Sequence, residues 1–165
     1  DVVLINDAYN ANPRSMEAAV VELSARPVTG RRVAVVGDML ELGEQTERCH
    51  RELGRKLANA KVDVVVAVGP SASWVAEEAV KAGQPADRCH HYGSVEEARA
   101  DGGLEPRAGD TWLFKASRGM ELERLFAHVR ARLLERDGMP ADEPSPASRG
   151  GSTPVTVPAE LPPHG

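Results

Sequence analysis

Cysteine and basic charge are both scarce in this chain, and each shortage excludes a class of protein. The 165 residues contain two cysteines, Cys49 and Cys89, too few and too far apart for a disulfide framework or a paired zinc site. Lys and Arg number 20 against 25 Asp and Glu, so no basic surface for a nucleic-acid backbone is expected. We therefore predict a protein of the reducing cytoplasm that does not bind nucleic acid.

Long apolar segments are also absent. No run approaches the roughly 20 residues that a membrane-spanning helix needs, and no basic start followed by an apolar core indicates a signal sequence. Hydrophobic residues make up 41% of the 165, which is enough for one good core. We expect a soluble protein with one folded domain and no membrane partner.

The two ends of the chain differ from its middle. The first residue is Asp1 rather than Met, and it leads straight into an apolar run, so we expect a piece of a longer protein. Residues 138–165 hold seven of the 12 prolines, a density that opposes helices and sheet ladders. We predict a folded domain over residues 1–137 and a disordered tail over residues 138–165.

Apolar patterns alternate between strand and helix periods along the folded part. The predicted strands cover residues 2–5, 31–38, 62–69, 90–92 and 111–117. Apolar residues at helical spacing follow each run, as in Met16, Ala19, Val20 and Leu23. Because strands that are apolar on both faces belong inside a helix-covered sheet, we predict an α/β fold with a Rossmann-like, doubly wound and mainly parallel sheet.

Polar and unusual loops follow three of these strands. They are NDAYNANP after the first strand, GDMLELG at 37–43 after the second, and KASRGM at 115–120 after the fifth. The carboxyl ends of parallel strands meet at one edge of a sheet, where folds of this class bind ligands. The loops of the opposite edge have the composition of ordinary turns. We therefore expect the three polar loops to line one crevice.

The common catalytic motifs are missing from these loops. The sequence has no GxxxxGK[ST] phosphate loop, no GxGxxG after the first strand and no GxSxG nucleophile elbow. The loops instead supply groups suited to binding, namely the carboxylate of Asp7, the ring of Tyr9, the amides of Asn10 and Asn12, and the cations of Lys115 and Arg118. We predict a binding half-site without a catalytic residue.

The three motifs together resemble those of a known family. NDAYNANPRSM, VVGDMLELG and FKASRGMELE occur in the order and at the spacing found in the C-terminal domain of the Mur ligases, over residues 1 to about 135. The YNANP segment is similar to the branch of this family that joins D-alanyl-D-alanine to UDP-N-acetylmuramoyl-tripeptide in peptidoglycan precursor synthesis. That activity uses ATP and Mg²⁺ and proceeds through an acyl-phosphate.

The resemblance implies an enzyme of three domains, of which this chain is one. One domain of the family holds the UDP substrate, a central domain carries the phosphate loop and the magnesium ligands, and the C-terminal domain closes over the nucleotide. ATP and Mg²⁺ would then be bound mainly by the missing central domain. We expect the 165 residues by themselves to be inactive as a ligase.

The resemblance also implies roles for individual residues. Asp7 would bind the ATP ribose, and the nucleotide-binding residues would be Asp7, Tyr9, Asn10 and Asn12. The residues that hold the carboxylate of the incoming dipeptide would be Lys115, Ser117 and Arg118. Candidate members of the cleft loop are Asp38 and Glu41. None of these residues would act as a nucleophile.

Simpler roles remain open for several of these residues. Asp7 and the asparagines could satisfy a local turn, and Asp38 could pin its own loop. Lys115 and Arg118 could be solvated surface charges. The alternative function is a non-catalytic α/β module that binds a nucleotide or an acidic metabolite.

Two further features affect the site. Mur ligases have glycine where this chain has Ala116, so its methyl group is expected to narrow the anion site, or to shift the backbone if the position needs a positive φ. His50 and the CHH run at 89–91 lack paired ligands nearby, and we interpret them as incidental rather than as a metal site.

Overall fold

The computed structural model describes residues 1–138 and the backbone of residues 153–157. The strands are β1 (Val2–Asp7), β2 (Arg32–Gly37), β3 (Val64–Val68), β4 (Cys89–Tyr92), β5 (Thr111–Lys115) and β6 (Thr153–Val157). The helices are α1 (Pro13–Ala25), α2 (Thr46–Asn59), α3 (Ala72–Lys81), α4 (Val95–Ala100) and α5 (Glu123–Arg136). Short 3₁₀ turns cover Gly43–Gln45, Ala86–Arg88 and Arg118–Met120. The predicted alternation of strands and helices is confirmed.

The strands form a six-stranded sheet in the order β4-β3-β2-β5-β1-β6. All neighbouring pairs from β4 to β1 are parallel, and β6 runs antiparallel to β1. The predicted doubly wound, mainly parallel sheet is therefore confirmed. Strand β5 lies between β1 and β2, so the loops that follow these three strands leave the sheet side by side.

Helices cover both faces of the sheet. One face packs against α1, α2 and α3, through a buried cluster that includes Met16, Leu23, Leu53, Leu57 and Val75. The other face packs against α4 and α5, through a cluster that includes Val95, Phe114, Leu125, Phe126 and Val129. Successive residues of β2 alternate between the two clusters, which explains why the strands are apolar on both faces.

The segment predicted as a disordered tail contains one strand. Thr153–Val157 pairs antiparallel with β1, with Pro154 opposite Ile5. An edge strand needs ladder hydrogen bonds on one side only and therefore tolerates a proline, and the sequence TPVTV is rich in β-branched residues. Residues 139–152 and 158–165 lie outside the described residues, so the tail prediction for them is not tested.

The helices and the cysteines of the described residues bear on the expectations about membrane spans and disulfides. None of their helices is long and apolar enough to cross a membrane. Cys49 and Cys89 are both free thiols, the first buried and the second partly buried.

Candidate functional site

The loops after β1 and β5 are joined at the carboxyl edge of the sheet. Asp7 lies opposite Lys115 in the register of β1 and β5. The Nζ atom of Lys115 lies 2.8 Å from Oδ2 of Asp7 and donates to the carbonyl oxygen of Asn10 at 3.0 Å. The expectation that these loops share one edge of the sheet is confirmed.

Lys115 is a buried cation whose partners belong to the protein itself. Its side chain is 4% exposed, and a buried ammonium is stable only when it is paired and hydrogen-bonded. Asp7 and the Asn10 carbonyl supply these partners. In this structure Lys115 holds the first loop against β5, and its predicted contact with a substrate carboxylate stays a prediction.

Asp7 keeps one carboxylate oxygen available. Oδ2 accepts from Lys115, whereas Oδ1 has no hydrogen-bond partner within the described residues. Tyr9, two residues later, is 40% exposed, and its hydroxyl has only a long 3.5 Å contact from the Asn6 amide. A free carboxylate oxygen next to an exposed ring suits a vicinal diol and a flat base.

The two asparagines of the first loop have different surroundings. Oδ1 of Asn12 accepts from the backbone N–H of Ser15 at 2.9 Å, and the Asn12 N–H donates to the Ser15 hydroxyl at 3.0 Å. This capping box, with Pro13 in the first helical position, starts α1. Asn10 is exposed, and its side-chain amide makes no hydrogen bond within the described part of the chain. Asn10 is therefore the freer of the two for a ligand.

Ser117 connects all three loops. Its hydroxyl accepts from the N–H of Leu40 at 2.9 Å and donates to the carbonyl of Ala11 at 3.2 Å. Its backbone N–H donates to the carbonyl of Asp38 at 3.1 Å. Because the single hydroxyl proton is already used, Ser117 orders the loops in this structure, and its predicted substrate contact is not tested.

Asp38 is buried at the start of α3. Its Oδ1 accepts from the N–H of Ala72 at 2.7 Å and its Oδ2 from that of Ser71 at 3.3 Å, where the helix N-terminus favours a negative charge. Gly69 permits this approach, because a Cβ at that position would lie 2.5 Å from Asp38 Oδ1 and its φ is +120°. Asp38 therefore pins its loop, which was the simpler of its two predicted roles.

Two exposed charges flank the hydrogen-bonded loops. Glu41 adopts a left-handed conformation with φ of 63° and is exposed. Arg118 is exposed, and its guanidinium makes no ion pair within residues 1–138. These two groups, Tyr9, Asn10 and Oδ1 of Asp7 are among the polar groups at this edge that no hydrogen bond within the described residues fully uses.

The methyl group of Ala116 points into the core. It has no positive φ, is 0% exposed and packs in the core beneath α4 and α5. A Cβ at Gly37 would lie 2.7 Å from the Ala116 methyl, so the two positions share one small space. The condition for the expected backbone shift, a positive φ at this position, is therefore not met, and the expected narrowing of the anion site stays a prediction.

His50 is buried and hydrogen-bonded, although its sequence context was interpreted as incidental. Its ring is 0% exposed, and Nε2 accepts from the backbone N–H of Met39 at 3.0 Å. A usable signal was its position on the apolar side of α2, between Cys49 and Leu53. His91, by contrast, contacts the Gly69 carbonyl at 2.9 Å through Nε2. The described residues contain no group of three or more His, Cys, Asp or Glu that could hold a metal ion.

Similarity to known proteins extends over most of the described domain. Residues 1–118 match a family model described as "Mur ligase, glutamate ligase domain". The UDP-N-acetylmuramoyl-tripeptide–D-alanyl-D-alanine ligase of Bacillus subtilis (strain 168) is 40% identical over 122 residues, which are 74% of this chain and 26% of that protein. The ligase of the same name from Escherichia coli (strain K12) is 49% identical over 67 residues, which are 41% of this chain and 14% of that protein.

Solved structures give the same result for the fold. A MurF ligase of Thermotoga maritima in complex with ADP superposes with a TM-score of 0.66 and 31% identity, covering 82% of this chain and 29% of that one. MurF of Acinetobacter baumannii superposes with a TM-score of 0.66 and 34% identity, covering 78% and 28%. The chain thus spans between 14% and 29% of the length of these relatives.

Proposed function

Because the chain belongs to the Mur ligase family, we propose that it is the C-terminal domain of an ATP-dependent ligase that joins D-alanyl-D-alanine to UDP-N-acetylmuramoyl-tripeptide. The relatives from B. subtilis and E. coli, which carry the name of that reaction, support the dipeptide-adding branch. The reaction belongs to peptidoglycan precursor synthesis, in the cytoplasm. The UDP-binding domain and the central domain would lie in a longer protein.

The contact between Lys115 and Asp7 is the observation that carries this proposal. This 2.8 Å contact joins the loop after β1 (the first loop) to the loop after β5 (the fifth loop), so that the two form one wall of the site. It leaves Oδ1 of Asp7 without a partner in the described residues. The wall offers binding groups but has no phosphate loop of its own. Such a surface fits a domain that closes over a nucleotide held by another domain.

The first loop is suited to the nucleoside end of ATP. Oδ1 of Asp7 would accept from a ribose hydroxyl while Lys115 holds the other carboxylate oxygen. The exposed ring of Tyr9 would pack against the base, and the Asn10 amide would pair with a polar edge. Asn12 would contribute by starting α1 and so fixing the end of this loop.

The fifth loop is suited to the carboxylate of the incoming dipeptide. The guanidinium of Arg118 is exposed and unpaired within the described residues, and it can bind a carboxylate through two parallel hydrogen bonds. Lys115, through its pair with Asp7, would fix the end of β5 next to this group, and Ser117 would set the position of the loop. Binding at this end would leave the dipeptide amine free to face the second substrate.

The chemistry would proceed by positioning rather than through a covalent bond to this domain. In the proposed reaction the γ-phosphoryl group of ATP passes to the tripeptide carboxylate, giving ADP and an acyl phosphate. The dipeptide amine attacks the acyl carbon, loses a proton and displaces phosphate. Holding the amine near that carbon converts a bimolecular step into an effectively unimolecular one. By the resemblance to the Mur ligases, Mg²⁺ would be held mainly by the central domain.

The proposal is tested by ligation with the longer protein that contains this domain. We expect product from UDP-N-acetylmuramoyl-tripeptide, D-alanyl-D-alanine and ATP, and none from the 165-residue chain alone. Replacing Asp7 with alanine should raise the KM for ATP about tenfold, as expected for a lost hydrogen bond to a charged group. Glu105→Ala, an exposed acid at the opposite edge, is the matched control. A longer protein that binds nucleotide but joins no amino component would favour the non-catalytic module instead.

A further inference from the structure

We propose that His50 is a positioning residue for the carboxyl-edge site and that it acts through the loop after β2. This inference rests on the proposed function, because it concerns how that site is held in shape. His50 lies near the start of α2 and is 0% exposed. None of the binding roles described above uses it.

The hydrogen bonds of His50 determine its protonation state. The Met39 backbone N–H can only donate, so Nε2, at 3.0 Å, is an unprotonated acceptor. The Thr46 carbonyl can only accept, so Nδ1, at 2.6 Å, carries the proton. The imidazole is therefore neutral, and both of its nitrogens are used within the protein.

Met39 is the middle member of three consecutive anchored residues. On one side, the Asp38 carboxylate accepts from the N–H of Ala72 at the start of α3, and the Asp38 backbone carbonyl accepts from the Ser117 N–H at 3.1 Å. On the other side, the Leu40 N–H donates to the Ser117 hydroxyl at 2.9 Å. His50 adds an anchor from α2. Removing it leaves a buried N–H without a partner and frees the loop that orders Ser117.

The effect of this anchor should be stronger for the dipeptide than for ATP. Ser117 directly precedes Arg118, so a displaced loop changes the position of the group proposed to bind the dipeptide carboxylate. The loop after β1 is joined to Ser117 through the Ala11 carbonyl, but Asp7 in that loop is also held by Lys115 at 2.8 Å, an anchor that His50 does not affect. The signature of positioning by His50 is therefore a KM change for one substrate and not for the other.

The functional test compares two substitutions in the longer ligase. Leucine at position 50 has no acceptor, whereas glutamine can extend a carbonyl oxygen toward the Met39 N–H. We expect His50→Leu to raise the KM for D-alanyl-D-alanine about tenfold, with the KM for ATP changed less than about threefold. His50→Gln should restore the dipeptide KM to within about threefold of wild type. Leu53→Ala, at a buried site in the same helix, controls for general loosening of α2.

A spectroscopic test on the 165-residue chain separates this inference from the proposed function. ¹⁵N NMR should find Nδ1 of His50 protonated and Nε2 unprotonated, and the Met39 amide should exchange slowly in wild type and His50→Gln but quickly in His50→Leu. If the wild-type longer protein fails to ligate, the proposed function is overturned, and these spectra alone decide the role of His50. The inference would be overturned by a protonated Nε2 or by the same Met39 exchange rate in all variants. It would also be overturned if His50→Leu changed the dipeptide KM no more than His50→Gln or Leu53→Ala does.

Discussion

The two edges of the sheet use their charged residues in opposite ways. At the amino edge, the Asp110 side chain is 1% exposed, and its Oδ2 atom lies 2.6 Å from Nη2 of Arg31. The same carboxylate also accepts from the backbone N–H groups of Arg31 and Arg107, at 2.9 Å each, and from the Trp112 indole at 3.1 Å. Both carboxylate oxygens of Asp110 are therefore hydrogen-bonded to donors of the protein itself.

The carboxyl edge has one comparable pair and several groups without partners. Lys115 and Asp7 form the pair through one carboxylate oxygen at 2.8 Å, whereas Arg31 contacts both carboxylate oxygens of Asp110. Tyr9, Asn10 and Arg118 lie around it and are exposed. The Asp110 centre is thus fully hydrogen-bonded, whereas the carboxyl edge presents the exposed groups to which the proposed function assigns ligand contacts.

The largest expected effect is at the amino edge. Asp110→Ala should lower the free energy of unfolding by about 3 kcal/mol, because it removes the buried carboxylate that accepts from Arg31, two backbone N–H groups and the Trp112 indole. Urea denaturation of the chain measures this. Arg132→Ala, in an exposed pair with Glu105, is the control and should cost less than about 0.5 kcal/mol. Equal losses from the two variants would remove the contrast between the edges.

Acid should weaken the same pair. Burial by itself raises the pKa of Asp110, but hydrogen bonds from the Arg31 side chain and from the Arg107 and Arg31 backbone lower it below its ordinary value of 3.8. Since the folded-state pKa is the lower one, the stabilisation is present above the unfolded value and is lost as the pH falls through the folded value. The difference between wild type and Asp110→Ala should stay constant above about pH 5 and shrink below about pH 4.

A steric test at the carboxyl edge should have the next largest effect. Gly37→Ala places a Cβ 2.7 Å from the Ala116 methyl and should cost about 2 kcal/mol through overpacking. The double variant Gly37→Ala with Ala116→Gly should recover most of this loss in the same denaturation experiment. Failure of the second change to rescue the first would show that the two positions do not compete for one space.

The pair at the carboxyl edge should be weaker than the pair at the amino edge. A double-mutant cycle with Lys115→Met and Asp7→Asn should give a coupling energy of about 1 kcal/mol, because Lys115 contacts one oxygen of Asp7 whereas Arg31 contacts both oxygens of Asp110. The corresponding cycle on Arg31 and Asp110 should give a larger coupling energy. A larger coupling at the carboxyl edge would contradict the division of roles between the edges.

The smallest effect on stability should accompany a large effect on binding. Arg118→Ala removes an exposed side chain and should change the free energy of unfolding by less than about 0.5 kcal/mol. In the proposed longer ligase it should lower kcat/KM for D-alanyl-D-alanine more than tenfold, about the value of one charge-assisted carboxylate contact. Arg132→Ala is again the matched control. Unchanged kinetics would remove Arg118 from the proposed site.

Much of the fold could be predicted because its signals are local. The valine-rich runs and the helical spacing of residues such as Met16 and Leu23 depend only on near neighbours in the chain, and the five parallel strands follow them. The strand Thr153–Val157 was missed because proline content outweighed β-branched composition in the prediction. Its pairing depends on an open edge at β1, which the segment itself does not indicate.

The site was predictable in outline and not in detail. Asp7, Lys115 and Ser117 were correctly expected at one edge, because parallel strands end on the same side of a sheet. Their hydrogen bonds were not foreseen. The Lys115 ammonium is hydrogen-bonded to Asp7, and the Ser117 hydroxyl is hydrogen-bonded to the Ala11 carbonyl. Two side chains that were predicted to contact substrate therefore have partners within the protein.

By itself the sequence determined the order of strands and helices and the three polar loops at the strand ends, because periodicity and turn chemistry act over a few residues. Only the tertiary structure decided that β5 lies between β1 and β2, which brings Lys115 to Asp7 across 108 residues of chain. It alone paired Asp110 with Arg31 and placed His50 beneath the loop after β2. Such contacts depend on strand order and on the packing of distant elements, and no local pattern encodes either.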